Sequence, residues 1–414
     1  MCAAIYAARN SADVTIIEKN TCLGKKLSMT GNGRCNLTNL DIRSEYYNKS
    51  AVRRMKDYLS TYGAEDAISF FKSLGVVVSS EDGYIYPASG QASTVVDALV
   101  NEITRLGVKV RYKEQFKGVR RGEAPDSQLN NSRKNQNKGD LIVSTNLGEE
   151  AFDAVVIATG SLSGAKSTLS TGDSYYICSQ LGMKVTDTHP ALVGFKVSED
   201  EVMPGAGVRA RAKVSFYLGS EEITSEVGEV QFTKDGISGI PVMQASRIIS
   251  PLVDDSKPVV CAVDFFPDYD DNDFTALKSE MLRLRDNRTL NEFLVGFSNS
   301  NVTDMILKRM KMSGSMKMKN ISESMAECIM DNYRNLRFSL KESYGYSASQ
   351  VTSGGVSLAN LTFDLAYKKD HGIFLAGELL DVDGRCGGYN LQWAWSSGRS
   401  AGQNAARAGK KTDS

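Results

Sequence analysis

Apolar and polar positions along the first 190 residues predict helices and strands in alternation. Residues 3–9 (AAIYAAR) predict a helix of small residues, and Val14–Glu18 (VTIIE) predicts a buried strand with an acidic end. Residues 51–74 are predicted to be helical, and Ala92–Leu106 has the single apolar face of an amphipathic helix. The apolar run Ala154–Ala158 (AVVIA) is typical of a strand that is covered on both faces. We therefore predict an α/β domain here.

The pattern changes near Ala191. From there to about Pro267, alternating segments predict short strands, whereas the following residues are helical and rich in methionine. Glycine-rich sequence returns after Gly345 and leads to the apolar strand Gly372–Ala376. The chain is thus predicted to contain a discontinuous α/β domain of residues 1–190 plus 345–414, an inserted β-rich domain of residues 191–272 plus about 334–344, and a helical subdomain of residues 273–333.

The overall composition narrows the function classes. The 414 residues are 41% hydrophobic, enough to build several buried cores. Lys+Arg and Asp+Glu balance at 49 each, which argues against a protein dedicated to nucleic acid or to anionic membranes. No apolar run is long enough to span a bilayer, and the N-terminal residues do not resemble a signal peptide. We expect a cytoplasmic protein that acts on a small molecule.

Cysteine and histidine usage suggests that a bound organic cofactor supplies the chemistry. Seven scattered cysteines without a CxxC pair fit a reducing compartment, and the only histidines are His189 and His371. This set predicts neither a metal site nor a Ser/His/Asp triad.

The strand that ends at Glu18 suggests a dinucleotide-binding unit. In such a unit, an acidic residue at the end of the second strand accepts hydrogen bonds from the adenosine ribose. The helix before that strand should follow a G-x-G-x-x-G loop, but the sequence begins at Met1, inside the predicted helix. On these residues alone, an ordinary parallel α/β sheet without a dinucleotide site is the better interpretation.

Two segments that are rich in glycine and in charged or hydrogen-bonding residues favour a cofactor site. Gly24–Asn39 (GKKLSMTGNGRCNLTN) combines cationic side chains, glycine backbone amides and directed donors that suit a dianionic cofactor: Lys25, Lys26, Gly31, Gly33, Arg34 and Asn36. Gly377–Trp393 (GELLDVDGRCGGYNLQW) places two carboxylates and a glycine pair before a helix whose first amides can face an electron-rich ring: Glu378, Asp381, Gly387 and Gly388. A solvated turn would explain some of the first segment, but less easily the whole string.

With these motifs the chain resembles the YhiN/BaiN-like flavoprotein family, also called the aminoacetone-oxidase family of FAD-binding enzymes. The resemblance extends over essentially the whole chain and is carried by GKKLSMTGNGRCNLTN, YIYPASGQASTVVDAL, VVIATG, STGDSY, HPALVGF, GISGIP, VTSGGV and FLAGELLDVDGRCGGYNLQWAWSSG. It implies a glutathione-reductase-like Rossmann-type FAD domain with inserted β-rich and helical subdomains.

The resemblance also implies a cofactor-binding set. Glu18 is expected at the adenosine ribose, Asn36 near the flavin, and Asp381 on the ribitol–pyrophosphate side. Gly388–Leu391 is expected at the isoalloxazine. The full predicted set is Glu18, Lys19, Lys26, Thr30, Gly31, Asn32, Arg34, Cys35, Asn36, Ala158, Thr159, Gly160, Gly377, Glu378, Asp381, Gly387, Gly388, Tyr389, Asn390 and Leu391.

Two departures from the family pattern stand out. The family has a strand and a GGGxxG loop before the position of Met1, so about 10–15 residues are expected to be missing from the chain as written. A wrongly chosen start explains this better than evolved loss, because the other flavin motifs are intact. The second departure is Ser161, which stands where the family usually has a glycine.

Several specific functional hypotheses are less well supported than a structural role for the same residues. Cys35 and Cys386 are remote in sequence, so we predict buried packing cysteines and not a redox dithiol. Gly205–Ala210 matches G-x-G-x-x-A but leads into a strand, which makes a loop the better interpretation. As proton donors, His189 and Tyr389 are weak candidates, and a structural role is at least as good for His189. The catalytic residues therefore stay unassigned.

The predicted function is flavin-mediated hydride transfer to a small organic substrate by an FAD-dependent oxidoreductase. We favour a reductase that uses NAD(P)H as a transient reductant, since no amine-recognition site is visible. The alternatives are an oxygen-using amine oxidase of the aminoacetone type and a truncated, non-catalytic remnant that cannot hold FAD. A relative of RNA-modifying flavoenzymes is a third alternative, but it would predict a basic face and the balanced charge gives it little support.

Overall fold

The computed structural model describes residues 1–122 and 140–409. The chain forms two compact units, unit 1 of Met1–Thr188 with Val351–Ser414, and unit 2 of His189–Gln350. The sequence analysis placed the corresponding divisions at residues 190 and 345.

Numbered along the chain, the helices are α1 (Cys2–Arg9), α2 (Val52–Thr61), α3 (Ala64–Ser73), α4 (Ala92–Arg105), α5 (Ala165–Thr168), α6 (Asp173–Gln180), α7 (Ile240–Asp254), α8 (Asp271–Arg283), α9 (Leu290–Leu294), α10 (Ser300–Arg309), α11 (Glu323–Arg334) and α12 (Tyr389–Gly409). The strands are β1 (Thr15–Glu18), β2 (Thr38–Asn39), β3 (Val78–Glu81), β4 (Tyr84–Pro87), β5 (Lys109–Tyr112), β6 (Phe116–Arg121), β7 (Leu141–Thr145), β8 (Gly148–Phe152), β9 (Val155–Ile157), β10 (His189–Ala191), β11 (Phe195–Val197), β12 (Arg209–Leu218), β13 (Glu221–Phe232), β14 (Gly236–Gly239), β15 (Val259–Asp264), β16 (Leu336–Ser343), β17 (Val351–Ser353), β18 (Ala366–Tyr367) and β19 (Asp370–Leu375).

Unit 1 contains the parallel strand pairs that the α/β prediction requires. Strand β1 pairs in parallel with β5, and β9 pairs in parallel with β19, which also carries the antiparallel strand β18. Two small antiparallel sheets, β2-β4-β3 and β6-β7-β8, also belong to unit 1. In parallel α/β sheets, ligands bind beyond the carboxyl ends of the strands. Glu18 ends β1, and Ala158–Gly160 follows β9 directly.

The first and last helices described, α1 and α12, pack closely in unit 1. A Cβ atom added to Gly402 would lie 2.2 Å from the carbonyl oxygen of Ala3, and one added to Gly398 would lie 3.1 Å from Cβ of Cys2. On the same helix as Ala3, Ile5 is fully buried. Glycines on α12 therefore allow the two helix backbones to approach.

Unit 2 is built on a closed antiparallel barrel with the strand order β11-β14-β13-β12-β15-β16. Phe216, Phe232 and Phe338 are completely buried in its core. The helix α7 interrupts the strands, which the prediction of a purely β-rich segment missed. Its buried residues Val242, Ala245 and Ile249 recur at helical spacing.

The helical region of unit 2 shares this core. Met305 on α10 and Tyr333 on α11 belong to the same apolar cluster as Phe232 of the barrel. Residues 273–333 therefore do not form an independent core. The methionine-rich sequence is used mainly for packing.

Candidate cofactor site

The start of α12 depends on two glycines with left-handed backbones. Gly387 has φ +112° and Gly388 has φ +93°. A Cβ atom on Gly388 would lie 2.7 Å from the carbonyl carbon of Thr38, and one on Gly387 would lie 2.5 Å from the ring of Tyr84. Both the conformation and the space thus require glycine. The backbone here is brought against the segment that contains Asn36 and Thr38.

Asn36 joins the two predicted cofactor segments. Its side chain is buried, and with the amide oriented to satisfy its neighbours, the nitrogen donates to the carbonyl of Thr38 at 2.8 Å. In that orientation its oxygen accepts from the amide of Gly388 at 3.3 Å. The glycine pair and Asn36, which lie far apart in sequence, are therefore neighbours.

Asn390 and Tyr389 fix the loop that leads into α12. The Asn390 side chain accepts from the amide of Gly384 at 2.8 Å and donates to the carbonyls of Gly384 and Arg385 at 3.0 and 3.2 Å. The Tyr389 hydroxyl donates to the carbonyl of Asp41 at 3.3 Å. Burial raises the pKa of Tyr389 to about 12, so the phenol keeps its proton at neutral pH.

A tight turn connects Thr30 to Cys35. Gly31, Asn32 and Cys35 have φ values of +58°, +55° and +59°. Thr30 stabilises the turn by donating from its hydroxyl to the carbonyl of Leu27 at 2.7 Å. Such turns expose consecutive backbone amides that can bind anions.

Of the two cysteines in these segments, Cys35 is not an activated thiol. Cys35 is completely buried, and burial raises its pKa to about 11, whereas Cys386 is partly buried. Both are free cysteines in the structure. A protonated buried thiol is a poor nucleophile, in keeping with a packing role for Cys35.

Lys26 and Glu378 form the charged centre of the site. The Lys26 ammonium bonds to the Glu378 carboxylate and to the hydroxyl of Ser163. Glu378 also accepts from Ser163 at 2.7 Å and from the amide of Thr352 at 3.2 Å. Ser161, the departure from the family pattern, accepts from the Thr352 hydroxyl at 3.1 Å within the same network.

At the end of β1, Glu18 accepts from the backbone and side-chain nitrogens of Asn20 at 2.8 and 2.9 Å. The side-chain oxygen of Asn20 is buried without a hydrogen-bond partner. Lys19 donates to the carbonyl of Leu169. An unsatisfied acceptor beside a carboxylate suits a ligand that carries hydroxyl donors.

Other predicted residues lie in different surroundings. Ala158 and Thr159 are exposed at the end of β9, as a nucleotide contact requires. Arg34 instead pairs with Glu81 at 2.5 Å and stacks over the ring of Tyr86 at 4.3 Å. Its charge is thus largely committed within the protein.

Asp381 is a buried carboxylate that accepts from hydroxyl and amide donors. It accepts from Asn48 at 2.8 Å and from Ser50 at 3.1 Å. Burial, with a smaller contribution from nearby Asp383, raises its pKa. The amide of Gly377, before this motif, donates to Ser397 at 2.9 Å.

Some neighbours of the site were not singled out by the sequence analysis. Thr38 donates to the buried Gln392 at 2.6 Å, and Asn48 and Ser50 support Asp381. Asp383 was visible only as a third acidic residue in the same motif, after Glu378 and Asp381. The others are common polar residues whose partners lie far away in the sequence, so no local signal marks them.

The proton-donor candidate His189 belongs to unit 2, whereas every predicted cofactor residue belongs to unit 1. Its Nδ1 lies 2.7 Å from a carboxylate oxygen of Asp254. This contact gives His189 a structural partner within its own unit.

The residues of unit 1 fit a dianionic dinucleotide on three grounds. They provide a left-handed amide turn, a cation at Lys26, and an unsatisfied acceptor at Asn20 beside Glu18. Over residues 1–122 and 140–409, no group of three or more His, Cys, Asp or Glu is placed to hold a metal ion. Within the same residues, no helix has both the length and the apolar character needed to cross a membrane.

Comparison with known proteins identifies the family. The sequence profile of the HI0933-like protein Rossmann domain matches residues 1–404. The chain belongs to this family. The resemblance to YhiN/BaiN-like flavoproteins is thereby confirmed, and so is the Rossmann-type α/β fold class.

Among curated relatives, the HI0933-like chain is similar to a 3-dehydro-bile acid delta(4,6)-reductase of Clostridium scindens. The two are 34% identical over 98% of this chain and 96% of the relative. It is also similar to a ribosomal RNA dihydrouridine synthase of Haemophilus influenzae, with 25% identity over 96% of this chain and 93% of the relative. A protein of the same name from Escherichia coli is 26% identical over 98% of this chain and 95% of the relative.

A solved structure supports the fold. The 3-ketosteroid-delta4-(5alpha)-dehydrogenase of Rhodococcus jostii aligns with a TM-score of 0.51 and 14% identity over 99% of this chain and 94% of that chain. Together, the family and its reductase relative identify this HI0933-like protein as an FAD-dependent oxidoreductase. Two relatives are named for an activity on ribosomal RNA, so the expected absence of a nucleic-acid partner stays a prediction.

Proposed function

We propose that the protein is an FAD-dependent reductase that saturates a carbon–carbon double bond conjugated to a carbonyl group. The observation that carries this proposal is the 34% identity, along nearly the whole chain, to a reductase whose name describes a 3-keto steroid acid with conjugated double bonds. Dihydrouridine synthesis, the activity in the names of two other relatives, also saturates a ring double bond next to a carbonyl.

The proposal assigns the cofactor to unit 1. The Thr30–Cys35 turn and Lys26 would hold the pyrophosphate, with Glu18 and Asn20 at the adenosine ribose. Gly388 and Asn36 would lie against the flavin ring. When bound, FAD supplies the hydride chemistry.

The protein's own residues would orient the reactants and stabilise charge. The first amides of α12 lack partners within the helix, so they can stabilise negative charge at this end. In the balanced reaction, the carbon β to the carbonyl gains a hydride and the α carbon gains a proton. The Tyr389 phenol, which carries its proton at neutral pH as any phenol does, is a candidate proton source, although burial raises its pKa to about 12 and makes it a weaker acid. NAD(P)H is the proposed two-electron reductant.

An anaerobic half-reaction tests the function. The chain as written and a version extended upstream through the predicted glycine loop are purified and loaded with FAD. The flavin is reduced with NADPH, or with dithionite as a control for the electron source. We expect a 3-keto steroid acid with conjugated double bonds to restore the oxidised visible spectrum, and its saturated analogue to leave the flavin reduced.

Three other results would contradict the proposal. If only a uridine-containing RNA reoxidised the reduced flavin, the substrate would be a nucleic acid. Reduction of the oxidised flavin by aminoacetone, followed by oxygen consumption, would identify an amine oxidase. No flavin binding by either version would support a non-catalytic protein.

A further inference from the structure

A cavity in unit 1 lies outside the predicted cofactor set. It has a volume of about 510 Å³ and is lined by one end of α2 and by the loops around Leu358–Lys368. Small-molecule sites commonly measure about 300–1,000 Å³. The lining residues are Ser50, Arg53, Arg54, Asp57, Leu358, Ala359, Phe363 and Lys368.

The charges of this cavity favour an anion that also carries hydrogen-bond donors. Arg53, Arg54 and Lys368 outnumber the single carboxylate of Asp57. Within the described part of the chain, neither Arg53 nor Asp57 takes part in an ion pair, and both are exposed. Asp57 would repel an anion that has no hydrogen-bond donors. The ribose hydroxyls or the exocyclic amine of a nucleotide would instead donate to the Asp57 carboxylate.

An exposed aromatic ring adds a stacking surface. Phe363 is 45% exposed. Its backbone is held in place because Tyr58 donates to its carbonyl at 2.5 Å and Arg54 donates to the carbonyl of Thr362 at 2.6 Å. The Arg54 guanidinium lies 5.8 Å from the centre of the Phe363 ring. Aromatic rings and guanidinium planes are the groups on which nucleobases stack.

We infer that this cavity binds a nucleotide. The base would stack at Phe363, the ribose would donate to Asp57, and the phosphate would contact Arg53 and Lys368. The nucleotide end of a nicotinamide reductant and a free mononucleotide share this chemistry. The inference does not depend on the reductase proposal, since it rests on the lining of the cavity alone.

Calorimetric titration tests the site with 5′-AMP as the probe. The protein is first saturated with FAD, so that any adenosine subsite of the cofactor is filled. We expect 5′-AMP to bind at least about tenfold more tightly than adenosine or inorganic phosphate, since each of these lacks half of the contacts. Tighter binding of 2′,5′-ADP than of 5′-AMP would identify the NADP(H) end as the source. Equal binding would identify the source as the NAD(H) end or a free mononucleotide, neither of which has a 2′-phosphate.

Matched variants on α2 locate the binding. Arg53→Ala should weaken 5′-AMP about tenfold or more, whereas Lys56→Ala, an exposed cation on the same helix outside the cavity, should change it less than about twofold. Phe363→Leu should weaken 5′-AMP but not phosphate.

Two results would overturn the inference. One is equal weakening by the Arg53 and Lys56 substitutions. The other is loss of 5′-AMP binding in Glu18→Ala but not in Arg53→Ala, which would place the probe in the cofactor site. Thermal melting of each variant confirms that it is folded.

Discussion

Gly388 and Gly107 both have a positive φ, yet a side chain at these two positions would meet different surroundings. Gly388 has φ +93° and backbone atoms of Thr38 within 2.8 Å of an added Cβ, whereas Gly107 has φ +70° and open space within 4 Å. A substitution at Gly107 therefore costs only backbone strain, while one at Gly388 must also move the start of α12.

For this reason Gly388→Ala should abolish or strongly weaken FAD binding and destabilise the fold by about 2–4 kcal/mol. Gly107→Ala is the control for backbone strain alone and should cost about 1 kcal/mol with FAD affinity unchanged. Urea unfolding and flavin titration measure the two effects. Equal losses in both variants would show that the close approach to Thr38 is unimportant.

The buried carboxylate of Glu102 should make the stability of the protein depend on pH. It is 8% exposed and pairs with Arg105 at 2.7 Å and with Arg9 at 2.8 Å. The hydrogen bond from Arg105, then that from Arg9, lowers its pKa. A carboxyl with a lowered folded-state pKa stabilises the protein above its unfolded pKa, and this contribution is lost as the pH falls through the folded value.

Glu102→Gln should therefore cost about 1–3 kcal/mol at pH 7, and the deficit should shrink as the pH falls below about 4. Asp13→Asn serves as a control, because the Asp13–Lys109 pair is largely exposed and should contribute less than about 1 kcal/mol. Unfolding free energies at several pH values test this. A deficit that is independent of pH would contradict the electrostatic explanation.

At the scale of elements, α12 and the loop before it behave as one structural piece. The side chain of Asn390 bonds three backbone groups of that loop, and Trp393 donates to the carbonyl of Gly377 at 3.1 Å. The start of the helix is thus positioned by side chains of the helix itself. This preorganisation reduces the entropy that cofactor binding must offset.

Removing the Asn390 amide should loosen the loop without unfolding the helix. We expect Asn390→Ala to raise the hydrogen-exchange rates of residues 384–388 at least about tenfold and to weaken FAD binding. Asn404→Ala, also on α12, removes two bonds within that helix, one to the carbonyl of Ser400 at 2.9 Å and one from Arg407 at 3.2 Å, and should leave both unchanged. Unaltered exchange in the Asn390 variant would show that other contacts order the loop.

Elements were predictable where one local pattern decides their structure. Helix α4 starts at the predicted Ala92 and ends one residue before the predicted Leu106, and strand β1 lies within the predicted Val14–Glu18. Short strands were predicted from Ala191 to about Pro267, whereas β13 is 12 residues long, because its first residues are mostly polar and not fully buried and so give no apolar alternation. Helix α7 was missed because its start lies in the glycine-rich string GISGIP, which is typical of a turn.

The same limit applies to the candidate site. Its two segments were found because glycines and charged residues are concentrated in them. Both segments lie within the residues that match the family profile. Which side chains interact across the site could not be found from the sequence. Lys26 and Glu378, for example, are 352 residues apart, and their ion pair forms only in the folded chain. Whether each predicted residue contacts FAD stays a prediction.

At the scale of the whole molecule, the two units have separate apolar cores. The barrel cluster of unit 2 contains Phe216 and Phe338, while Trp393 and Trp395 of α12 belong to clusters of unit 1. All predicted cofactor residues lie in unit 1. A ligand that binds one unit stabilises that unit directly.

FAD should therefore slow hydrogen exchange in residues 30–36 and 384–391 while leaving the barrel strands β12 and β13 unchanged. Mass spectrometry of exchanged peptides measures this, with the Gly388→Ala variant as a control that should show no protection. Equal protection of the barrel would mean that cofactor binding is not confined to unit 1.

The contact between α1 and α12, together with the pairing of β9 with β19, has a consequence for synthesis on the ribosome. Unit 2 is one continuous stretch, so it can complete its barrel as soon as residue 350 has emerged. Strand β9 and helix α1 are made early but must wait for β19 and for Gly398 and Gly402. During that interval an apolar strand edge stays uncovered, which makes the nascent chain a client for chaperones.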